Sequence, residues 1–201
     1  MHLIAPQSDA IAETVYFTVF ACWLGFVAIV VIGKRGATPG AARRDPKSML
    51  GFLLQGASYA ICFGVFRPYF SPLFPMSQST ELIFAAVTAA LAIASTWFCY
   101  AAARTLGKHW ALMARVIEGH ELVATGPYAI VRNPIYLAMF GMLIASGLAV
   151  SRWQALLPAI VVFLTGTAVR IRTEQNLLRA AFGTKFDEYA RRVPAFLPGL
   201  L

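Results

Sequence analysis

Five stretches of this chain carry no charged side chain over about the length a lipid bilayer demands, and this pattern decides the fold class before any motif is read. They cover residues 14–32, 48–66, 82–103, 135–150 and 153–169, against a requirement of roughly 17–25 mostly apolar residues per helical crossing. Apolar residues make up 59% of the chain, above the roughly 45–50% of soluble domains. The expected fold is all-α: a polytopic membrane bundle of about five transmembrane helices with a cytoplasmic C-terminal amphipathic helix. The fourth and fifth stretches are short and meet through Ser151-Arg152, so four crossings plus a buried hairpin is the alternative. The 201 residues fit one domain, in which 1–103 supplies the first three spans and 104–201 the polar chemistry.

The net charge of +8 would point to nucleic acid in a soluble protein. Here the basic residues lie between apolar runs, where they act as topology signals. All but Arg67 and Arg152 of the 17 lysines and arginines fall in three regions. Lys34, Arg35, Arg43, Arg44 and Lys47 follow the first span, and Arg104, Lys108, Arg115 and Arg132 follow the third. Arg170, Arg172, Arg179, Lys185, Arg191 and Arg192 lie in the tail. Five crossings put all three regions in one compartment. The expectation is an outside N-terminus, with the C-terminus and any site beside it in the cytoplasm. The N-terminus has no basic leader and the first apolar run is long enough to remain as a span, so no cleaved signal is expected. Cys22, Cys62 and Cys99 fall inside spans and read as small apolar packing residues. His2, His109 and His120 lack metal-ligand spacing, so no metal is expected.

Residues 126–136, Gly-Pro-Tyr-Ala-Ile-Val-Arg-Asn-Pro-Ile-Tyr, form a turn-rich polar cluster against the start of the fourth apolar run. Irregular backbone at the edge of a bilayer is tolerated only where protein or a solvated cavity covers it. Two tyrosines, an arginine and an amide gathered there suggest a site where a polar ligand meets a lipid-soluble one. A second polar region follows the fifth span. Leu178, Phe182, Phe186, Tyr189 and Val193 recur at helical spacing, with Gly183 as an interruption that allows two shorter helices and Pro194 as a stop. An interfacial helix that only anchors the tail fits the same pattern.

The candidates on that face are Trp110, His120, Tyr128, Arg132, Asn133, Tyr136, Arg172, Glu174 and Gln175. Interface-belt aromatics and topology charges are the plain alternatives for most of them. Glu174, a turn beyond a span and flanked by Arg170 and Arg172, fits either an ion pair or a ligand contact. The chain has no GxGxxG element and no hydrolase spacing of Ser, His and Asp. Its five apolar stretches hold no charged residue that would mark an ion path.

Taken in order, several elements resemble the isoprenylcysteine carboxyl methyltransferase and phospholipid methyltransferase families, which are integral-membrane enzymes using S-adenosylmethionine. Leu106-Gly107-Lys108-His109-Trp110 is similar to their Leu-Gly-x-x-Trp element. The segment His120-Glu121-Leu122-Val123-Ala124-Thr125-Gly126-Pro127-Tyr128 is similar to His-x-Leu-Val-x-x-Gly-Pro-Tyr. Arg132-Asn133-Pro134-Ile135-Tyr136 resembles Arg-His-Pro-x-Tyr. Glu174-Gln175 with Leu178, then Phe182-Gly183, Tyr189 and Val193-Pro194, resembles the families' tail. Asn133 stands where a histidine is usual and Gln175 where a second glutamate is usual, so both positions keep hydrogen-bonding groups but lose ionisation.

The resemblance implies a pocket for S-adenosylmethionine between residues 120–136 and the tail. His120, Tyr128, Arg132, Asn133, Tyr136 and Glu174 would line it, and Leu122 and Val123 would contribute backbone contacts. A lipid-like or prenylated acceptor would enter from the bilayer, with Arg132 or Arg172 orienting a carboxylate and Glu174 serving as base for an amine. A carboxylate acceptor needs no base, which fits this residue set; phospholipid amines and small thiols are the alternatives. A protein of another class, keeping the fold but inactive through Asn133 and Gln175, also fits. Oligomeric state stays open, since the pair Gly141 and Ala145 packs helices within a chain as readily as between chains.

Overall fold

The computed structural model describes residues 10–36, 46–68, 70–107 and 122–197. These form six helices: α1 (Ala10–Gly36), α2 (Pro46–Gly64), α3 (Gln78–Leu106), α4 (Pro134–Val150), α5 (Trp153–Phe182) and α6 (Thr184–Arg192). A 3-10 turn, Gly126–Ala129, precedes α4. The all-helical expectation holds. Among the described residues, α1, α3 and α5 are long and apolar enough to cross a membrane, whereas α2 and α4 are apolar but shorter. At 1.5 Å per residue, the 17 residues of α4 reach about 25 Å, short of a hydrocarbon core of about 30 Å.

Side-chain contacts fix the helix directions. Gln55 meets Thr167 and Phe66 bridges Ser151, so α2 runs antiparallel to α5. Gly141 packs on Ser95 and Gly126 on Thr105, so α4 runs antiparallel to α3. Thr96 reaches the Cys22 carbonyl, while the start of α1 shares a crevice with the start of α3, so these two run parallel. Helices α1 to α5 therefore alternate in direction along the chain.

The molecule is apolar on the outside as well as within. Leu24, Ile32, Leu53, Ile83, Trp97, Leu157 and Val161 are all exposed, a surface suited to lipid rather than water. Several polar groups inside pair across the helices, which offsets the cost of burying them. Trp23 Nε1 donates to Ser146 Oγ at 2.9 Å, and Tyr59 Oη donates to the Met139 carbonyl at 2.7 Å.

At one end of the bundle, Arg67 closes the α4–α5 turn. Its Nη2 donates to the carbonyls of Leu148 and Ala149, and its Nη1 to that of Ser151, each at 2.7 Å. Its Nε donates to the Ser71 carbonyl at 2.9 Å. The last carbonyls of a helix have no partner within the helix, and a cation there also meets the negative end of the helix dipole. Burial lowers the Arg67 pKa to about 10.

The other end carries the 3-10 turn, the start of α4 and the tail. α5 does not stop at Val169 but continues as one helix to Phe182, because no breaker intervenes. Gly183, at φ +52°, then ends it in a conformation that favours glycine. The interruption at Gly183 thus separates two helices, and α6 turns back so that Phe186 and Tyr189 become buried.

Candidate functional site

Gly126 begins the site. Its φ of +58° turns the chain, and an added Cβ would stand 3.0 Å from Thr105 Oγ1. Pro127 and the 3-10 turn then bury Tyr128. Pro134 starts α4, where its missing N–H costs nothing. Between these two prolines, Arg132 and Asn133 are strapped to the end of the chain. The Arg132 amide donates to the Pro194 carbonyl at 2.9 Å, and Asn133 Nδ2 donates to the Ala195 carbonyl at 2.6 Å. Phe196, nearly fully buried, packs with Tyr136 and Ile171 behind the strap. Tyr189 of α6 completes the closure by donating to the Tyr128 carbonyl at 2.6 Å.

These elements enclose a crevice. Leu122, Val123, Tyr128, Arg132, Asn133 and Glu174 line it, as do Gln175, Leu106, Leu178, Phe186 and Tyr189. The space inside is about 90 Å³, below the roughly 300–1,000 Å³ of small-molecule sites. It adjoins an open trough of about 590 Å³ that shares Arg132 and Gln175 as walls.

Among the sequence-derived candidates, Leu122, Val123, Tyr128, Arg132, Asn133, Glu174 and Gln175 come together in this crevice. Tyr136 sits behind it on α4, and its hydroxyl donates to Glu174 Oε1. Arg172 is exposed on α5 and is not part of the lining. Trp110 and His120 lie outside the described residues.

The electrostatics separate the residues that are engaged from those that are open. Among the described residues, Arg132 Nε is buried without a hydrogen-bond partner, and its guanidinium lies 5.9 Å from the Phe186 ring centre. Burial, the largest influence, pulls its pKa below the ordinary value; Arg179 adds to this and Tyr189 opposes it. Arg179, on the same ring at 5.6 Å, is paired with Asp187 at 2.8 Å. A buried donor without an acceptor is costly, so Arg132 is set to receive an anion or a lone pair. Burial pushes the Tyr189 phenol up to about 12. Burial, and then Glu174 and Tyr189, raise Tyr128 well above its usual value. Both tyrosines therefore line the crevice as neutral phenols.

One residue of the site's support is not evident from sequence. Arg170 has the position of a topology charge, yet it is buried, with Nη2 3.5 Å from Glu174 Oε1 and its guanidinium 4.8 Å from the centre of the Tyr136 ring. Its place four residues before Glu174 is the signal that sequence offers, because such pairs meet on one helix face. Phe186 and Tyr189 belong to the apolar stripe of the tail and also form a wall of the crevice.

A family model for phospholipid methyltransferase matches residues 83–185. Over 98 residues, 48% of this chain, the sequence is 41% identical to the nickel-cobalt-cadmium resistance protein NccN of Alcaligenes xylosoxydans xylosoxydans, covering 45% of that protein. Over an equal length it is 39% identical to the cobalt-zinc-cadmium resistance protein CzcN of Cupriavidus metallidurans, covering 44% of it. Over 81 residues, 40% of this chain, it is 30% identical to protein-S-isoprenylcysteine O-methyltransferase of Schizosaccharomyces pombe, covering 34% of that enzyme. The chain thus spans less than half the length of the curated relatives it matches. The family match runs from within α3 to the start of α6 and includes the crevice lining except Phe186 and Tyr189, and on that match the chain belongs to the phospholipid methyltransferase family.

Proposed function

We propose that the protein is an S-adenosylmethionine-dependent methyltransferase of the membrane, acting on a lipid-soluble acceptor at the bilayer edge. The observation that carries this reading is the crevice itself. It combines an unpartnered Arg132 donor, the Glu174 carboxylate and the aromatic faces of Tyr128, Tyr189 and Phe186. A sulfonium donor bears a cationic sulfur, an ammonium and a carboxylate. Aromatic faces and a carboxylate suit the first two groups, and Arg132 suits the third. Family membership makes this donor the natural occupant, and the basic residues at this end favour a cytoplasmic site.

S-adenosylmethionine would supply an already activated methyl group. The residues then have to bind, orient and exclude water. With a carboxylate acceptor, transfer would form an O–C bond as the S–C bond breaks and its electron pair returns to sulfur, giving a methyl ester and S-adenosylhomocysteine with no proton for the protein to move. An amine acceptor would need a base, yet Glu174 already receives the Tyr136 hydroxyl and lies beside Arg170. That engagement favours a carboxylate over a phospholipid amine. The acceptor reads as prenyl-like only through the distant isoprenylcysteine relative, and the higher identity to the two metal-resistance proteins argues against restricting it to a prenylated cysteine.

The test is calorimetric binding of S-adenosylhomocysteine to detergent-purified protein, followed by transfer of labelled methyl groups to membrane lipid extracts. Micromolar binding and base-labile label in the lipid support an ester product. Label on an amine headgroup would move the reading to phospholipid N-methylation. Absence of binding by well-folded protein would leave a catalytically silent member of the family, and restoring His at Asn133 and Glu at Gln175 would then show whether those two positions are responsible.

A further inference from the structure

α2 lies outside the matched stretch of residues 83–185, yet it reaches the residues behind the crevice. Its buried positions Ser48, Gly51, Gln55, Ser58 and Cys62 fall at helical spacing on one face, against α5. The two backbones approach closely there. A Cβ on Gly51 would stand 2.7 Å from the Gly166 carbonyl oxygen and 2.4 Å from Arg170 Cγ, and one on Gly166 would stand 2.8 Å from the Gly51 carbonyl oxygen. The Arg170 side chain can cross α2 because Gly51 has none of its own.

One turn further along α2, Gln55 is almost fully buried in an otherwise apolar helix, where an unmatched amide would be costly. Both of its ends are matched on α5. Nε2 donates to Thr167 Oγ1 at 2.9 Å, and Oε1 accepts from Arg170 Nη1 at 3.2 Å. The Arg170 guanidinium lies between the rings of Tyr136 at 4.8 Å and Phe52 at 5.9 Å. Its Nη2 stops 3.5 Å from Glu174 Oε1, at the outer limit of a hydrogen bond. Without Gln55, Arg170 could rotate toward Glu174 and form a closer pair.

From this arrangement we infer that Gln55 is a positioning residue for the methyl-donor site. It holds Arg170 in a shared geometry, so that the Glu174 carboxylate is oriented through Oε1 and stays available to the ligand. The inference rests on the donor-binding reading above and deepens it. It makes α2, a helix without any residue in the crevice lining, a determinant of donor affinity. Thr167 anchors the amide, and Phe52 limits the swing of the guanidinium.

The experiment measures S-adenosylhomocysteine affinity by calorimetry for the wild type, Gln55→Met, Thr167→Val, Arg170→Gln and the Gln55→Met/Arg170→Gln pair, with melting curves for each. Gln55→Met, which removes both hydrogen bonds of the amide, should weaken binding about tenfold, and Thr167→Val, which removes one, about threefold. The double variant should bind no more weakly than Arg170→Gln alone, because Gln55 acts through Arg170. Unchanged affinity in folded Gln55→Met, or fully additive losses in the pair, would overturn the inference while leaving the donor site intact. If Gln55→Met fails to fold, Thr167→Val decides: a threefold loss supports the inference and unchanged affinity overturns it. Failure of the wild type to bind would overturn the donor reading and this inference together.

Discussion

Two arginines at opposite ends of the same bundle show what each end is for. Arg67 directs its guanidinium onto four backbone carbonyls around the α4–α5 turn. Arg132, also drawn in from solvent, leaves its Nε without a hydrogen-bond partner among the described residues, while its backbone amide is tied to Pro194. The first end is satisfied from within and makes structure. The second keeps a buried donor open beside a carboxylate and three aromatic rings, which is what the proposed binding site requires and a cap does not. Variants at the two ends should therefore fail in different ways.

The largest effect is expected at the open end. Glu174→Ala removes the acceptor of the Tyr136 hydroxyl and leaves Arg170 buried beside no carboxylate. S-adenosylhomocysteine binding should weaken by roughly 100-fold, the scale expected when a charge-assisted hydrogen bond is removed and the groups around it lose their order. Calorimetry would show this directly, and near-normal affinity would remove Glu174 from the site.

At the closed end, Arg67→Ala should do the reverse. It strips the last carbonyls of α4 of their donors, at a cost of about 2–3 kcal/mol. The melting temperature in detergent should fall clearly while ligand affinity in the surviving folded protein stays within about twofold. A loss of affinity without a loss of stability would mean that the two ends are coupled in a way the geometry does not indicate.

Arg132→Gln comes next, with an expected affinity loss of roughly tenfold and little change in melting. The shorter neutral side chain no longer supplies a cation to the ligand, and the strap to Pro194 is a backbone bond that survives. If affinity holds while melting drops, Arg132 belongs with Arg67 as a structural residue.

The same contrast explains what is legible in the sequence. The helices can be read because length and the absence of charge determine a membrane span almost alone, and Gly126 and Gly183 mark their turns by residue type. Glu174, Arg132 and Tyr128 stand out because charge and turn chemistry beside a bilayer are conspicuous. Arg170 and Gln55 do not. A basic residue at the end of a span looks like a topology signal, and a lone amide in an apolar run looks like noise until α2 and α5 are known to touch. The continuation of α5 to Phe182 is hidden for a related reason. Sequence shows where the apolar run ends, whereas the helix ends only where backbone conformation changes, at Gly183.

The smallest effect is expected from Tyr189→Phe, and pH separates its role from that of the arginines. The Tyr189 hydroxyl holds the Tyr128 carbonyl at 2.6 Å, and burial raises its pKa from 10.0 to about 12. A folded-state pKa above the unfolded value means that the protonated phenol stabilises the fold. That contribution is fully present below about pH 10 and is lost as pH rises toward about 12. The phenol donates only while protonated, so ionisation breaks the bond that joins α6 to the turn. Wild-type protein should lose stability across this window more steeply than Tyr189→Phe, in melts taken at intervals from about pH 8 to about pH 12. Near neutral pH the variant should bind S-adenosylhomocysteine about threefold more weakly, as expected for one neutral hydrogen bond. Parallel alkaline melting curves for the two proteins would show that this bond does not hold the crevice closed, and the closure would then rest on the strap from Pro194 to Phe196 alone.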